Sequence, residues 1–380
     1  MTSTTPTARP PVAPALQMTP RVLMGPGPEL VHPRVTAAMS APLLGHLDPE
    51  FLGMMDRTQE LLRYAFQTAN RLTLPISGTG SAGMEAAVAS LVERGDPVLV
   101  CVNGYFSTRI AEMARRHGGE VETIERGWGE VFDPDELQAA LRRRPARVVA
   151  VVHAETSTGA LQPLDGIAQV VHAEGALLLV DAVTSLAGVP VAVDELGLDL
   201  VYSGTQKCIG APPGLAPLTV GPRAEARIGA RSTAVDTWYL DLSLLQRYWG
   251  PERTYHHTAP ISLNFALYEA LRMIAEEGLE ARWARHRANA ELLWAGLEEL
   301  GLPLHVPAER RLPMLTTVRI PDGVDDAEVR GRLLRDYRIE IGGGLGPLKG
   351  QVWRIGLMGH SSSQENVELL LGAMRRILAG

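Results

Sequence analysis

Lys207 is the residue with the most chemistry to offer. It lies in Ser203-Gly204-Thr205-Gln206-Lys207-Cys208-Ile209-Gly210-Ala211-Pro212-Pro213-Gly214, a single cation among small, apolar and turn-forming neighbours. An ammonium is costly to bury in such company unless the amine forms an imine or works as a base. The ordinary alternative is a surface lysine, but the glycines and prolines fix a tight loop and favour a working amine. Earlier in the chain, Asp181 closes the apolar run Ala176–Val180. That places it at the carboxyl end of an expected central strand, where open α/β sheets bind ligands. Its carboxylate suits a protonated pyridine nitrogen, a charge-assisted bond worth roughly 1.5–3 kcal/mol, and equally suits a helix N-cap.

Two further groups bear on anions. Ser77-Gly78-Thr79-Gly80-Ser81-Ala82-Gly83 falls between an expected strand and an expected helix, where free amides and the helix dipole attract a phosphate. The same residues satisfy G-x-G-x-x-G, the dinucleotide fingerprint, and also fit a plain tight turn. The nicotinamide reading suffers because the next strand ends at Asn103 rather than at an acid that would hold a ribose, and because a long stretch precedes the motif. Arg354 interrupts the apolar strand Val352-Trp353-Arg354-Ile355-Gly356-Leu357. It either points to solvent or grips a carboxylate through two parallel hydrogen bonds.

Other chemistries find less support. His153, His256 and His257 have no third ligand at metal spacing, so no metal is expected. Ser185 and the other hydroxyls lie in no G-x-S-x-G elbow. Neither of the two cysteines, Cys101 and Cys208, lies beyond position 208, which leaves no mobile-loop nucleophile for desulfuration.

The elements that must position these residues alternate from about Leu72. Expected strands are Leu72–Ile76, Val98–Val102, Val121–Ile124, Val148–His153, Ala176–Val180 and Leu200–Ser203; expected helices include Ser81–Val92 and Pro134–Arg144. Such alternation implies an α/β fold, a mostly parallel sheet with helices on both faces. From Asn264 to about Leu300 helical spacing continues without proline, as one long or broken helix. A smaller α+β unit follows, with strands Thr316–Ile320, Ile339–Ile341 and Val352–Leu357 and helices at Asp325–Tyr337 and from Ser363. The expected division is a flexible tail (1–20), a large domain (21–280) and a small C-terminal domain (281–380), as the 380-residue length suggests. The net charge of −7 without basic blocks disfavours nucleic acid and anionic membranes. No apolar run approaches a membrane span. The tail lacks a signal-peptide layout and Ile-Leu-Ala-Gly is no peroxisomal address, so the expected location is cytoplasmic.

Taken together, the sequence resembles the alanine–glyoxylate aminotransferases of class V, pyridoxal phosphate (PLP) fold type I, from about Arg21 onward. The marks are Leu23-Met24-Gly25-Pro26-Gly27-Pro28, Ser77-Gly78-Thr79-Gly80, His153-Ala154-Glu155-Thr156-Ser157-Thr158-Gly159 and Leu161-Gln162-Pro163-Leu164-Asp165-Gly166. They continue through Asp181, the Lys207 loop, Tyr255-His256-His257-Thr258, Gly343-Gly344-Leu345-Gly346-Pro347 and Arg354-Ile355-Gly356-Leu357.

The resemblance implies that Lys207 bonds the cofactor and Asp181 meets its pyridine nitrogen. It assigns the phosphate to the loop of Thr79, Gly80 and Ser81 with Gln206, joined by Tyr255 and Thr258 of a second subunit in a homodimer. Thr156 lies by the ring edge, Phe106 stacks where relatives often have tryptophan, and Gly27, Ser185 and Arg354 frame the substrate. Ser81 stands where relatives often have histidine, a change that bears on cofactor affinity. Small amino acids and 2-oxo acids are the implied substrates, with L-alanine and glyoxylate exchanging an amino group by ping-pong kinetics. Serine is the alternative donor. Ureidoglycine is a second, although relatives using it tend to have asparagine at the Tyr255 position. A nicotinamide oxidoreductase and a non-catalytic PLP binder are the competing classes.

Overall fold

The computed structural model describes residues 13–379. Of the expected tail, residues 1–12 lie outside the described residues, and 13–20 are exposed without regular structure. A seven-stranded sheet organises the larger part of the chain. Its strands in chain order are β1 (Leu72–Ser77), β2 (Pro97–Val102), β3 (Glu120–Glu125), β4 (Val148–Val152), β5 (Leu177–Asp181), β6 (Leu200–Tyr202) and β7 (Leu215–Val220). Across the sheet they run β1-β7-β6-β5-β4-β2-β3. β3, β2, β4, β5 and β6 pair parallel, while β7 runs antiparallel to both β6 and β1.

Alternation along each strand builds two cores, one per face. Val148, Ala150 and Val152 of β4 pack with Leu177 and Leu179 of β5 on one side, and Val149 and Val151 pack with Leu178 and Val180 on the other. Continuous β-branched and leucine runs therefore suit a sheet covered on both faces. The sequence reading omitted β7. Pro217 within Leu-Ala-Pro-Leu-Thr-Val argues against a central strand, yet its carbonyl accepts a hydrogen bond from Ser203 N at 2.7 Å. Helices Pro49–Phe66 and Leu242–Trp249 were likewise not anticipated.

The expected long helix is two, Ile261–Glu277 and Leu279–Glu299, broken at Gly278 with φ +83°. Beyond it an antiparallel sheet places Val352–Gly356 between Leu315–Arg319 and Gly342–Gly343. Its core joins Val318, Trp353, Ile355, Leu370 and Met374 with Met24. Strand Val22–Leu23 pairs with Ile339–Glu340, so segment 22–24 goes by pairing and packing with this C-terminal unit. No helix among the described residues is long and apolar enough to cross a membrane.

Six of the seven strands, all but β7, carry their carboxyl ends to one edge of the sheet. The turns after β4, β5 and β6 meet there, at the start of the helix Gly80–Leu91 that follows β1.

Candidate active site

A cavity of about 320 Å³ opens at that edge. It is lined by Gly27, Thr79, Gly80, Ser81, Phe106, Thr156, Asp181, Gln206, Lys207 and Arg354, so ten residues singled out from sequence share one space. Ser185 does not line it. That side chain is fully buried and its hydroxyl has no partner among the described residues. Tyr255 and Thr258 also lie away from the lining and are exposed.

The lysine is held by its loop. Gly210 N donates to Lys207 O at 3.0 Å, Ala211 N to Thr205 O at 3.0 Å, and Thr205 Oγ1 to Pro212 O at 2.6 Å. The amine is buried and donates to Pro26 O. A side chain at position 27 would have its Cβ 2.9 Å from Lys207 Nζ, and φ there is +98°, so glycine is required. Burial first and the Arg354 charge second bring the Lys207 amine down to about 8, against the opposing pull of Cys208, Asp181 and Glu29.

Asp181 ends β5, and its structural alternative as a simple N-cap is not what the geometry shows. Oδ2 accepts from Tyr202 Oη at 2.7 Å and Oδ1 from Val183 N at 2.8 Å. Burial raises the carboxyl to about 6, while these two bonds and the charges of Lys207 and Arg109 pull it back. Both of its bonded donors are neutral, and no cation among the described residues bonds either oxygen.

In the glycine loop, the first helical bonds run from Ala82 N and Gly83 N to Thr79 O. Thr79 makes no side-chain cap bond, so the Gly80 and Ser81 amides are left for an external acceptor. A Cβ at Gly83 would sit 2.9 Å from Ala216 Cβ on β7, which explains that glycine as a packing requirement. Gln206 Oε1 is buried without a partner.

Arg354 does not point to solvent. Nε donates to Gly343 O at 2.7 Å and Nη1 to Thr156 O at 3.1 Å. Burial lowers the group to about 10, opposed by Glu155. Two of its five N–H groups are thus engaged by backbone carbonyls, and Nη2 donates to no described residue.

Three groups went unrecognised in the sequence. Tyr202 supports Asp181, as above. Glu155 is fully buried, with Oε1 accepting from Ser157 N at 3.0 Å and Ser157 Oγ at 2.6 Å, and Oε2 from Phe106 N at 3.2 Å. Burial raises its pKa and so weakens it as an acid, against the pull of those bonds. It fastens the start of helix Tyr105–Arg116, and a Cβ at Gly104 would come 2.4 Å from its Cδ. Arg109 also lines the cavity; its position one turn beyond Phe106 was the available signal. The histidines form a hydrogen-bonded chain from Ser77 Oγ through His257 and His256 to Trp238 O, with contacts of 2.6, 2.8 and 3.2 Å. No group of three or more His, Cys, Asp or Glu among the described residues is placed to hold a metal.

Residues 36–370 match the family model described as Aminotransferase class-V. The chain is 41% identical to the (S)-ureidoglycine–glyoxylate transaminase of Bacillus subtilis, over 94% of this chain and 90% of that protein. It is equally 41% identical to the alanine–glyoxylate aminotransferase of Rattus norvegicus, over 94% of this chain and 87% of that one. The crystal structure of an alanine–glyoxylate aminotransferase from Nostoc sp. superposes with a TM-score of 0.96 at 53% identity, covering 97% of both chains.

Proposed function

The chain belongs to the class-V aminotransferases and is a PLP-dependent transaminase, and from that premise we propose that it moves an amino group from a small amino acid, L-alanine preferred, to glyoxylate, giving pyruvate and glycine. The observation that carries the reading is a buried amine, a buried carboxylate and an arginine with one free arm lining a single cavity.

The lining fits PLP. The Gly80 and Ser81 amides and the Gln206 side-chain N–H groups suit a phosphate, the Asp181 carboxylate is bonded only by neutral donors and suits a protonated ring nitrogen, and Phe106 and Val183 supply apolar walls. Once bound, PLP supplies a carbonyl that amines capture and a ring that absorbs the electrons of a broken Cα–H bond. The Lys207 amine takes and returns the proton. Lowered to about 8, it is substantially neutral at mildly alkaline pH. Asp181 keeps negative charge against the ring nitrogen, and Arg354 Nη2 orients the substrate carboxylate.

The active unit is proposed to be a homodimer. Tyr255 and Thr258 are exposed and outside their own cavity, as residues lent to a neighbour's site would be. Exposed Trp238 and Tyr239 lie beside them, packed on His256 and His257. Cytoplasmic placement rests on the two buried free thiols, and fractionation of source cells tests it.

Half-reactions with alanine, serine and ureidoglycine, each followed with glyoxylate as acceptor, test the donor. Alanine should give the highest kcat/KM, and a preference for ureidoglycine would overturn the choice.

A further inference from the structure

We propose that Arg109 is the counter-charge of the cofactor phosphate, a positioning residue that completes the anion site begun by Gly80, Ser81 and Gln206. This rests on the phosphate cradle proposed above. Arg109 Nη1 donates to Ser81 Oγ at 3.2 Å, which brings the guanidinium to the side of the cavity where the helix Gly80–Leu91 begins. Its Cζ lies 5.0 Å from the Phe106 ring centroid and 5.2 Å from that of Tyr105, so two aromatic faces hold the group in place. On the same helix Arg116 pairs with Glu112, whereas Arg109 has no carboxylate partner among the described residues.

Charge accounting singles it out. The ionisable side chains lining the cavity are Arg109, Lys207, Arg354 and Asp181. Lys207 is committed to covalent attachment, and Asp181 to the ring nitrogen. Arg354 is tethered to Gly343 O and Thr156 O, with its free arm left for a substrate carboxylate. A phosphate near neutral pH carries between one and two negative charges. A helix N-terminus offers roughly half a positive charge, and the hydroxyl, amide and carboxamide groups of the cradle offer none. Arg109 is the remaining cation. Its hydrogen bond to Ser81 also gives that residue a part in the site: the small hydroxyl leaves room for a guanidinium and orients it.

The test is binding to apoenzyme, measured by fluorescence quenching, of PLP and of pyridoxal, which has the same ring and aldehyde but no phosphate. Arg109→Gln should weaken PLP on the order of 10- to 100-fold, the fold-change corresponding to one charge-assisted hydrogen bond, and change pyridoxal affinity by less than about threefold. Arg109→Lys should recover most of the loss, since it restores the charge without the fork. Inorganic phosphate should slow PLP uptake by wild-type apoenzyme and do so less in Arg109→Gln. Equal loss for PLP and pyridoxal would assign Arg109 to the ring or to local folding and overturn the proposal. So would unchanged PLP affinity, with or without a raised KM for the amino acid. Wild-type apoenzyme that takes up neither compound would instead refute the cofactor reading itself.

Discussion

Replacing Asp181 by asparagine should make the apoenzyme more stable at neutral pH while disabling it. Burial raises the Asp181 carboxyl from 3.8 to about 6. At about 1.4 kcal/mol per unit, burial therefore disfavours the ionised form in the apoenzyme by about 3 kcal/mol. The sign follows from proton uptake: a carboxyl whose folded pKa exceeds its unfolded value binds more protons when folded, so wild-type stability falls as pH rises from about 4 to about 6. Asparagine has no such slope. It sacrifices one of the two hydrogen bonds from Tyr202 and Val183, about 1 kcal/mol. Asp181→Asn should thus be about 1 kcal/mol less stable than wild type at pH 4 and about 2 kcal/mol more stable above pH 6. Urea denaturation of both apoproteins, at equal protomer concentration and across that pH range, reads the crossing directly. Saturating PLP should stabilise wild type more than the variant, because only wild type gains a counter-charge for a buried anion. Parallel stability curves without a crossing, or a variant weaker than wild type at every pH, would refute the account of Asp181 as an anion held in wait for a cation.

Lys207→Ala should lower turnover on the order of 10²- to 10⁴-fold, the range for loss of a general base, and abolish the cofactor's absorbance band near the visible edge; near-normal activity would remove Lys207 from the mechanism. Co-refolding Lys207→Ala protomers with Thr258→Val protomers should restore one intact site per mixed dimer, and no recovery would count against shared sites. Arg354→Ala should raise KM for the amino acid more than it lowers kcat, because it deletes a carboxylate contact rather than the base. An unchanged KM would place the substrate carboxylate elsewhere.

Much of the site was legible because its residues sit at the ends of strands that announce themselves. β5 is an uninterrupted apolar run closed by Asp181, so that carboxylate falls at the sheet's carboxyl edge on sequence alone, whereas Thr156 followed only from the family resemblance. The Lys207 loop was equally exposed by its glycines and prolines. What stayed hidden depends on contacts across the chain. Tyr202 is indistinguishable in sequence from any aromatic strand residue; only the pairing of β5 with β6, which sets Asp181 beside Tyr202, gives it a role. Glu155 reaches the helix of Phe106 from another strand end, and nothing local predicts that partnership. β7 was masked by Pro217, whose lack of an N–H is outweighed by burial of all six strand residues.

The same physical cause runs through the three buried ions. Desolvation lowers Lys207 to about 8 and Arg354 to about 10 and raises Asp181 to about 6, each moved toward its neutral form. A cavity built for stability would pair such groups with one another. Here the amine is tied to the Pro26 carbonyl, the aspartate to a tyrosine and an amide, and the arginine to two carbonyls, so hydrogen bonds fix the geometry while leaving charge uncompensated. That arrangement reserves the electrostatic gain for whatever enters. A ligand bearing a ring cation, a carbonyl and an anionic tail answers Asp181, Lys207 and the glycine loop in turn, and a carboxylate substrate answers Arg354. The uncompensated charge is thus the most direct mark of function that the fold carries.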